Sequence, residues 1–195
     1  KDRLAARLGP MANDVWASTF HSACVRILRR DADRIGFDKN FTIYDTDDSK
    51  RVLRDIIKEL NLDEKAFPPK SALSIISGAK DKYESPEDFA AKHNSEADWK
   101  LSRIAKVYAA YAKKLRSANA MDFDDVIYHT VTLLRQEPEV LAYYQNKFRY
   151  VLVDEYQDTN HLQYLLTSLL AGGRKNLCVV GDDDQSIYRF RGANI

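Results

Sequence analysis

No Gly-x-x-x-x-Gly-Lys-Ser/Thr pattern occurs anywhere in the 195 residues. The adjacent glycines Gly172-Gly173 run into Arg174-Lys175-Asn176 and do not supply it. The chain therefore lacks the loop of backbone amides and lysine that such a pattern uses to cradle phosphates. Cysteine is scarce. Cys24 and Cys178 are far apart, each in an apolar run and without metal-ligand spacing. That excludes a disulfide framework and a thiolate metal site, and predicts two buried free thiols. No apolar run approaches the roughly 18 residues of a membrane-spanning helix, and no signal-peptide pattern is visible. Nor is there a dominant charge: 30 basic and 29 acidic residues leave +1. That excludes a strong global field, but not basic residues gathered on one face. Internal repeats and low-complexity tracts are absent as well.

What remains is an ordinary globular composition, 45% hydrophobic and 30% charged, with enough apolar surface for a core. The chain opens on Lys1, and Arg191-Gly192-Ala193-Asn194-Ile195 simply stops. Both ends read as cut, so a piece of a longer protein is expected. Lys1 to Leu8 reads as a helix tail halted by Gly9-Pro10. Val15 to Thr19 is short and β-prone. A helical pattern follows, with Phe20, Cys24, Ile27 and Leu28 on one face and Arg26, Arg30 and Arg34 on another. The arginine face reads as solvated beside Asp31 and Asp33, with DNA contact as its alternative.

From about residue 45 to 148 only helical patterns are read. Thr46 can cap a helix whose stripe is Val52, Leu53, Ile56, Ile57 and Leu60. Pro68-Pro69 breaks it, and a shorter helix follows with Leu73 and Ile76 inward. Ser85-Pro86-Glu87-Asp88 starts another helix. Leu101, Ile104, Tyr108, Tyr111 and Leu115 mark the clearest one. Asp122 caps the next, and Pro138 opens the last. Then the period changes. Tyr150-Val151-Leu152-Val153 and Leu177-Cys178-Val179-Val180 are continuous apolar runs, expected as parallel strands buried on both faces. The helix between them carries Leu162, Leu165, Leu166, Leu169 and Leu170, and the unit is βαβ.

Both runs end in polar clusters, Asp154-Glu155-Tyr156-Gln157-Asp158 and Gly181-Asp182-Asp183-Asp184-Gln185. Ligands of open α/β sheets bind beyond the carboxyl ends of the strands. Asp154 can hold Mg²⁺ directly or through water. Glu155 can orient and deprotonate a water, and Gln185 can sense a γ-phosphate. The plainer alternative is that these acids cap the next helix. Tyr188, Phe190 and Arg191 suit single-stranded nucleic acid, rings stacking on bases and guanidinium meeting phosphate. A half-buried strand explains them equally well. Thr19, Phe20 and His21 leave the end of the first β-prone segment and can contact phosphates, although a lone histidine there is commonly structural.

At these residues a resemblance enters. Val-Asp-Glu-Tyr-Gln-Asp-Thr-Asn at 153–160 resembles motif II of the UvrD/Rep/PcrA-type superfamily 1 DNA helicases, and residues 181–193 resemble motif III. Thr-Phe-His-Ser at 19–22 is similar to a DNA-contacting motif of the family. Met-Asp-Phe-Asp-Asp-Val-Ile at 121–127 is similar to the segment that re-enters from its inserted subdomain. The resemblance implies an α/β fold, a partial RecA-like parallel sheet of the P-loop NTPase type carrying a large all-α inserted subdomain. Residues 1–22 and 121–195 would belong to the sheet domain 1A, and 23–120 to the insertion 1B. It further implies catalytic roles for Asp154, Glu155 and Gln185. Asp154 and Glu155 would serve the magnesium that accompanies ATP. Thr19, Phe20, His21, Tyr188, Phe190 and Arg191 would contact DNA. Phe190 stands where relatives often carry tryptophan, which keeps a stacking face of smaller area. ATP and Mg²⁺ are the implied cofactors. Single-stranded DNA and duplex junctions are the implied partners, translocation running 3′ to 5′ in the cytoplasm. The phosphate loop and second motor domain of the family are missing here. An exposed sheet edge is therefore expected, open to self-association. Alternatives are the motor part of a helicase–nuclease and a DNA-binding module.

Overall fold

The computed structural model describes residues 2–95 and 98–182. Helix α1 (Asp2–Leu8) ends where Gly9 takes a φ of +56°, and a 3-10 turn follows over Gly9–Asp14. The strand expected at Val15–Thr19 does not form. The Val15 amide donates to the Ala12 carbonyl at 3.3 Å and the Ala17 amide to that of Val15 at 3.0 Å. Local turn bonds thus consume the amides that a ladder would need. Helix α2 (Phe20–Asp31) starts at Thr19, whose Oγ1 accepts the Ser22 amide at 3.3 Å.

The stretch read as wholly helical contains a strand. Thr42–Ile43 (β1) pairs in parallel with Ala120–Met121 (β2). The Tyr44 amide donates to the Met121 carbonyl at 2.8 Å, and the Thr42 amide to that of Asn119 at 3.0 Å. Two residues are too few to show a period. Their pairing closes the neck of a helical body, because the chain leaves at β1 and returns at β2. Within that body lie α3 (Thr46–Glu59), α4 (Pro69–Asp81), α5 (Pro86–Lys92) and α6 (Trp99–Ser117). The cap of α3 is Asp45, not Thr46. Its carboxylate accepts the Asp47 and Asp48 amides at 2.8 Å, and Thr46 is the first helical residue. The Ser85 and Asp122 caps form as read, each in a reciprocal capping box.

After β2 come α7 (Phe123–Gln136) and α8 (Pro138–Lys147), then β3 (Val151–Val153), α9 (His161–Ala171) and β4 (Leu177–Val179). Strands β3 and β4 are parallel, Val151 opposite Leu177 and Val153 opposite Val179. The chain is thus mostly helical with small parallel sheets. Burial on both strand faces does not hold. Val153 is buried, but Leu152 is 73% exposed and β4 is exposed throughout. Helix α9 packs against both strands, and one helix covers one face. Cys178 shares that exposure, so only Cys24 is the buried thiol expected of both.

Two apolar clusters hold the molecule. One joins α2 to α7, α8 and α9 through Cys24, Ile27, Leu28, Met121, Leu133, Leu134, Tyr144 and Leu166. The other lies in the helical body, around Leu53, Ile56, Ile76, Val107, Tyr111 and Ala120. Ala120 and Met121, adjacent in β2, fall on opposite sides of this division. Arg116 also crosses it. Its Nη1 donates to the Ile35 carbonyl at 2.9 Å and its guanidinium lies 4.4 Å from the Phe37 ring centroid.

Candidate functional site

Asp154 and Glu155 follow β3 directly, and both are exposed. Glu155 sits at φ +51°, ψ +46°, a left-handed conformation that costs a non-glycine residue on the order of 1 kcal/mol. Asp154 Oδ1 accepts the Glu155 amide at 3.0 Å, which helps to hold that turn. The loop is then tied across to β4. The Tyr156 amide donates to the Val180 carbonyl at 2.9 Å, and Gln157 Oε1 accepts the Asp182 amide at 3.1 Å. Gly181 leaves room for this bond, since a Cβ there would stand 2.8 Å from Gln157 Oε1 and displace it. The loop closes at Asn160, which caps α9 by accepting the Gln163 amide at 2.9 Å.

The two acid-rich strand ends therefore do meet at one edge. The residue that joins them, buried Gln157, was not singled out from the sequence. No three or more histidine, cysteine, aspartate or glutamate side chains gather into a metal cage among the described residues. The loop offers hard carboxylate oxygens singly, which fits Mg²⁺ carried on a nucleotide's phosphates rather than an all-protein cage. One oxygen of Asp158 is buried without a hydrogen-bond partner among the described residues.

The second group of residues lies elsewhere. His21 stacks on Phe123 with ring centroids 3.6 Å apart and planes 22° apart. Phe123 is 60% exposed, so one large apolar ring is offered to solvent at the start of α7. Burial lowers the His21 pKa, outweighing Asp124 nearby and a hydrogen bond with the Phe123 backbone. The ring is neutral at pH 7 and stacks as a neutral aromatic. Phe20 is half-buried against the first apolar cluster, and Thr19 is exposed and spent on its cap. No hydrogen bond, ion pair or ring contact joins Thr19, Phe20 or His21 to Asp154 or Glu155 among the described residues. Sequence reading passed over Phe123 as an apolar residue of α7. Its one signal was its place between two capping acids at the return of the chain. Beside it opens a cleft of about 490 Å³ lined by Lys50, Lys70, Ser74, Ser77 and Asp124 among others. Gln185, Tyr188, Phe190 and Arg191 lie outside the described residues.

Under this surface Lys80, 2% exposed, is gripped by two carboxylates. Its Nζ stands 2.6 Å from Asp122 Oδ2 and 2.7 Å from Asp125 Oδ1. Tyr111 Oη donates to Asp122 Oδ2 at 2.9 Å. Those acids keep Lys80 protonated against the cost of burial and hold its pKa well above the ordinary value. Burial, with Asp124 adding like-charge repulsion, lifts Asp81 to about 6. The arginine row, Arg26 and Arg30 on α2 and Arg34 in the 3-10 turn after it, is exposed, and each member has a partner at the surface. Arg26 lies 4.2 Å from the Trp16 ring centroid and Arg30 3.5 Å from that of Tyr143, while Arg34 pairs with Glu137 at 3.0 Å.

The structure thus combines a helical body closed at its neck by β1 and β2, carboxylates directly after β3, and an aromatic pair at the start of α7. The chain matches the UvrD/REP helicase N-terminal domain over residues 1–195, and it belongs to that family. It is 54% identical over 195 residues to the ATP-dependent DNA helicase PcrA of Bacillus subtilis (strain 168). Identity to the protein of the same name from Staphylococcus aureus (strain Mu50 / ATCC 700699) is 51%. All of this chain is covered in both matches, but it spans 26% of each relative's length.

Proposed function

We propose that this chain works as part of an ATP-dependent DNA helicase, contributing the carboxylates of nucleotide hydrolysis and a surface for the translocated strand. The observation that carries this is the placement of Asp154 and Glu155 at the carboxyl end of the parallel pair, tied by Gln157 to the end of β4. There Asp154 would hold the Mg²⁺ of a bound nucleotide, whose charge offsets that developing on the phosphates. Glu155 orients and deprotonates the attacking water. The γ-phosphate sensor's role is assigned to Gln185 from the sequence alone.

The strand path of this reading runs over the Phe123–His21 stack, with Thr19 and Phe20 at its edge and Lys50 and Lys70 along the neighbouring cleft. DNA contact by Tyr188, Phe190 and Arg191 is assigned from the sequence alone. Residues 1–22 and 121–195 form the RecA-like part and 23–120 the insertion. The second boundary is supported by the division of the apolar clusters at Ala120–Met121. At the first, α2 packs its buried face on α7, which ties the start of the insertion closely to the sheet side. Translocation from 3′ to 5′, action in the cytoplasm and inactivity of the chain without a phosphate loop belong to the same reading. No helix among the described residues is long and apolar enough to cross a membrane.

The test compares ATP hydrolysis by this chain with that of a longer polypeptide carrying it, each with and without single-stranded DNA. Turnover is expected only in the longer protein, stimulated by DNA and abolished by Glu155→Gln. An inert longer protein would leave the second reading, a nucleic-acid-binding module, which the exposed Phe123 ring favours by itself. Turnover by the 195-residue chain, lost in Glu155→Gln, would refute the expected inactivity.

A further inference from the structure

The last turns of α4 present Ser77, Lys80 and Asp81, with Ser77 sharing a face with both of the others at spacings of three and four. Each meets a different part of the two candidate sites. Asp81 Oδ1 accepts Asn160 Nδ2 at 2.8 Å, and Asn160 is the residue that closes the carboxylate loop and caps α9. Lys80 holds Asp122 and Asp125. Ser77 lines the same cleft as Phe123 and Asp124. Asp122 and Asp124 bracket Phe123, whose ring rests on His21. One stretch of a single helix thus holds the carboxylate loop on one side and the aromatic pair on the other.

The two grips differ in kind. On the aromatic side a buried lysine sits between two carboxylates, with a tyrosine hydroxyl and a capping box completing the set. Breaking such a cluster exposes uncompensated buried charge, so it moves as a unit. On the loop side the hold is one hydrogen bond to a half-buried carboxylate. The first turn of α7 is thus linked through Lys80 to α4, and α4 through Asp81 to the loop.

We propose that the Ser77–Asp81 segment is a strut that keeps the carboxylate loop in register with the aromatic platform, and that Asp81 is a positioning residue for the loop. This rests on reading the loop as the nucleotide side and the platform as the nucleic-acid side. A strand settling on Phe123 shifts the first turn of α7, and the strut passes that shift to Asn160 and the loop bearing Asp154 and Glu155.

Amide hydrogen exchange of the 195-residue chain tests the strut without nucleotide. Asp81→Ala is expected to speed exchange of the Tyr156, Asp158 and Thr159 amides about tenfold, the factor for losing one hydrogen bond to a charged acceptor. Asp81→Asn keeps an acceptor oxygen and restores the wild-type rates. Oligothymidylate is expected to slow the same amides in wild type and in Asp81→Asn, but not in Asp81→Ala. A merely structural Asp81 would change the melting temperature without removing this response. Three results overturn the strut: loop rates in Asp81→Ala equal to wild type, an oligothymidylate response that survives Asp81→Ala, or an Asp81→Asn variant as fast as Asp81→Ala. Failure of oligothymidylate to bind wild type sinks the nucleic-acid reading instead. The exchange rates of Asp81→Ala in its absence then still decide whether the strut holds the loop.

Discussion

Glu155 occupies a backbone conformation that glycine would adopt at little cost. Glu155→Gly is therefore expected to stabilise the chain by about 1 kcal/mol, whereas Glu155→Gln keeps the strain and gains nothing. Urea titration of both variants separates these outcomes, and a destabilised Glu155→Gly would mean that the left-handed turn carries no strain. The Asp-Glu pair itself was legible in the sequence, because it closes an apolar run. Its backbone angle was not, since the bonds that enforce it come from Val180 and Asp182 on another strand. The thiols split in the same way. Cys178 is expected to react readily with a thiol reagent in the native chain. Cys24, buried and with its pKa pushed up to about 12, reacts only after unfolding. Equal labelling of both would contradict the burial described here.

Among the elements, α4 and α7 show what spacing along a chain cannot reveal. The Asp122 cap was readable from its own neighbours. Its partner Lys80 lies 42 positions earlier, and nothing local to either residue pairs them. Lys80→Ala leaves two buried carboxylates facing each other and is expected to cost about 3–5 kcal/mol. Tyr111→Phe removes one hydroxyl donor and is expected to cost about 1 kcal/mol. Thermal or chemical denaturation checks both, and a Lys80→Ala loss no larger than that of Tyr111→Phe would show the lysine to be dispensable. The β1–β2 pair escaped sequence reading for a different reason. Its four residues carry no alternation, and only the folded chain brings its two halves together. The helices, by contrast, were legible nearly throughout, because their stripes and caps are local.

For the molecule as a whole, two groups set opposing responses to acid. Burial, with Lys80 and Arg116 adding to it, lowers His129 to about 3. Asp125 at 3.8 Å and the Phe37 ring face it. The unfolded chain takes up a proton near the ordinary histidine value of about 6.5. Stability from His129 is therefore present above about 6.5 and falls as pH drops toward about 3. Asp81, raised to about 6, acts in the other sense, and its contribution is lost as pH rises through that value. Urea midpoints are expected to fall less between pH 7 and pH 5 in His129→Leu than in wild type; parallel curves would remove His129 from the account. The exposed row of Tyr150, Leu152, Val179 and Val180 gives the expectation of self-association its physical basis. Leu152→Lys is expected to shift any dimer toward monomer in sedimentation, and a wild-type chain monomeric at high concentration would dismiss the idea.

The engagement of the α2 arginines reaches into ionic strength. A cation that releases counterions from a nucleic acid must be free to meet a phosphate. Arg26, Arg29 and Arg30 lie on aromatic rings, and Arg34 is paired with glutamates. In the strand binding proposed above, their charges count in the sum of +1 but are expected to add little to ion release. Replacing Arg26 or Arg30 by alanine should lower the melting temperature and leave the logarithmic salt slope of oligonucleotide binding where it was. Replacing Lys70, which lines the cleft, should flatten that slope by about 0.7, the share of one phosphate contact on a single strand.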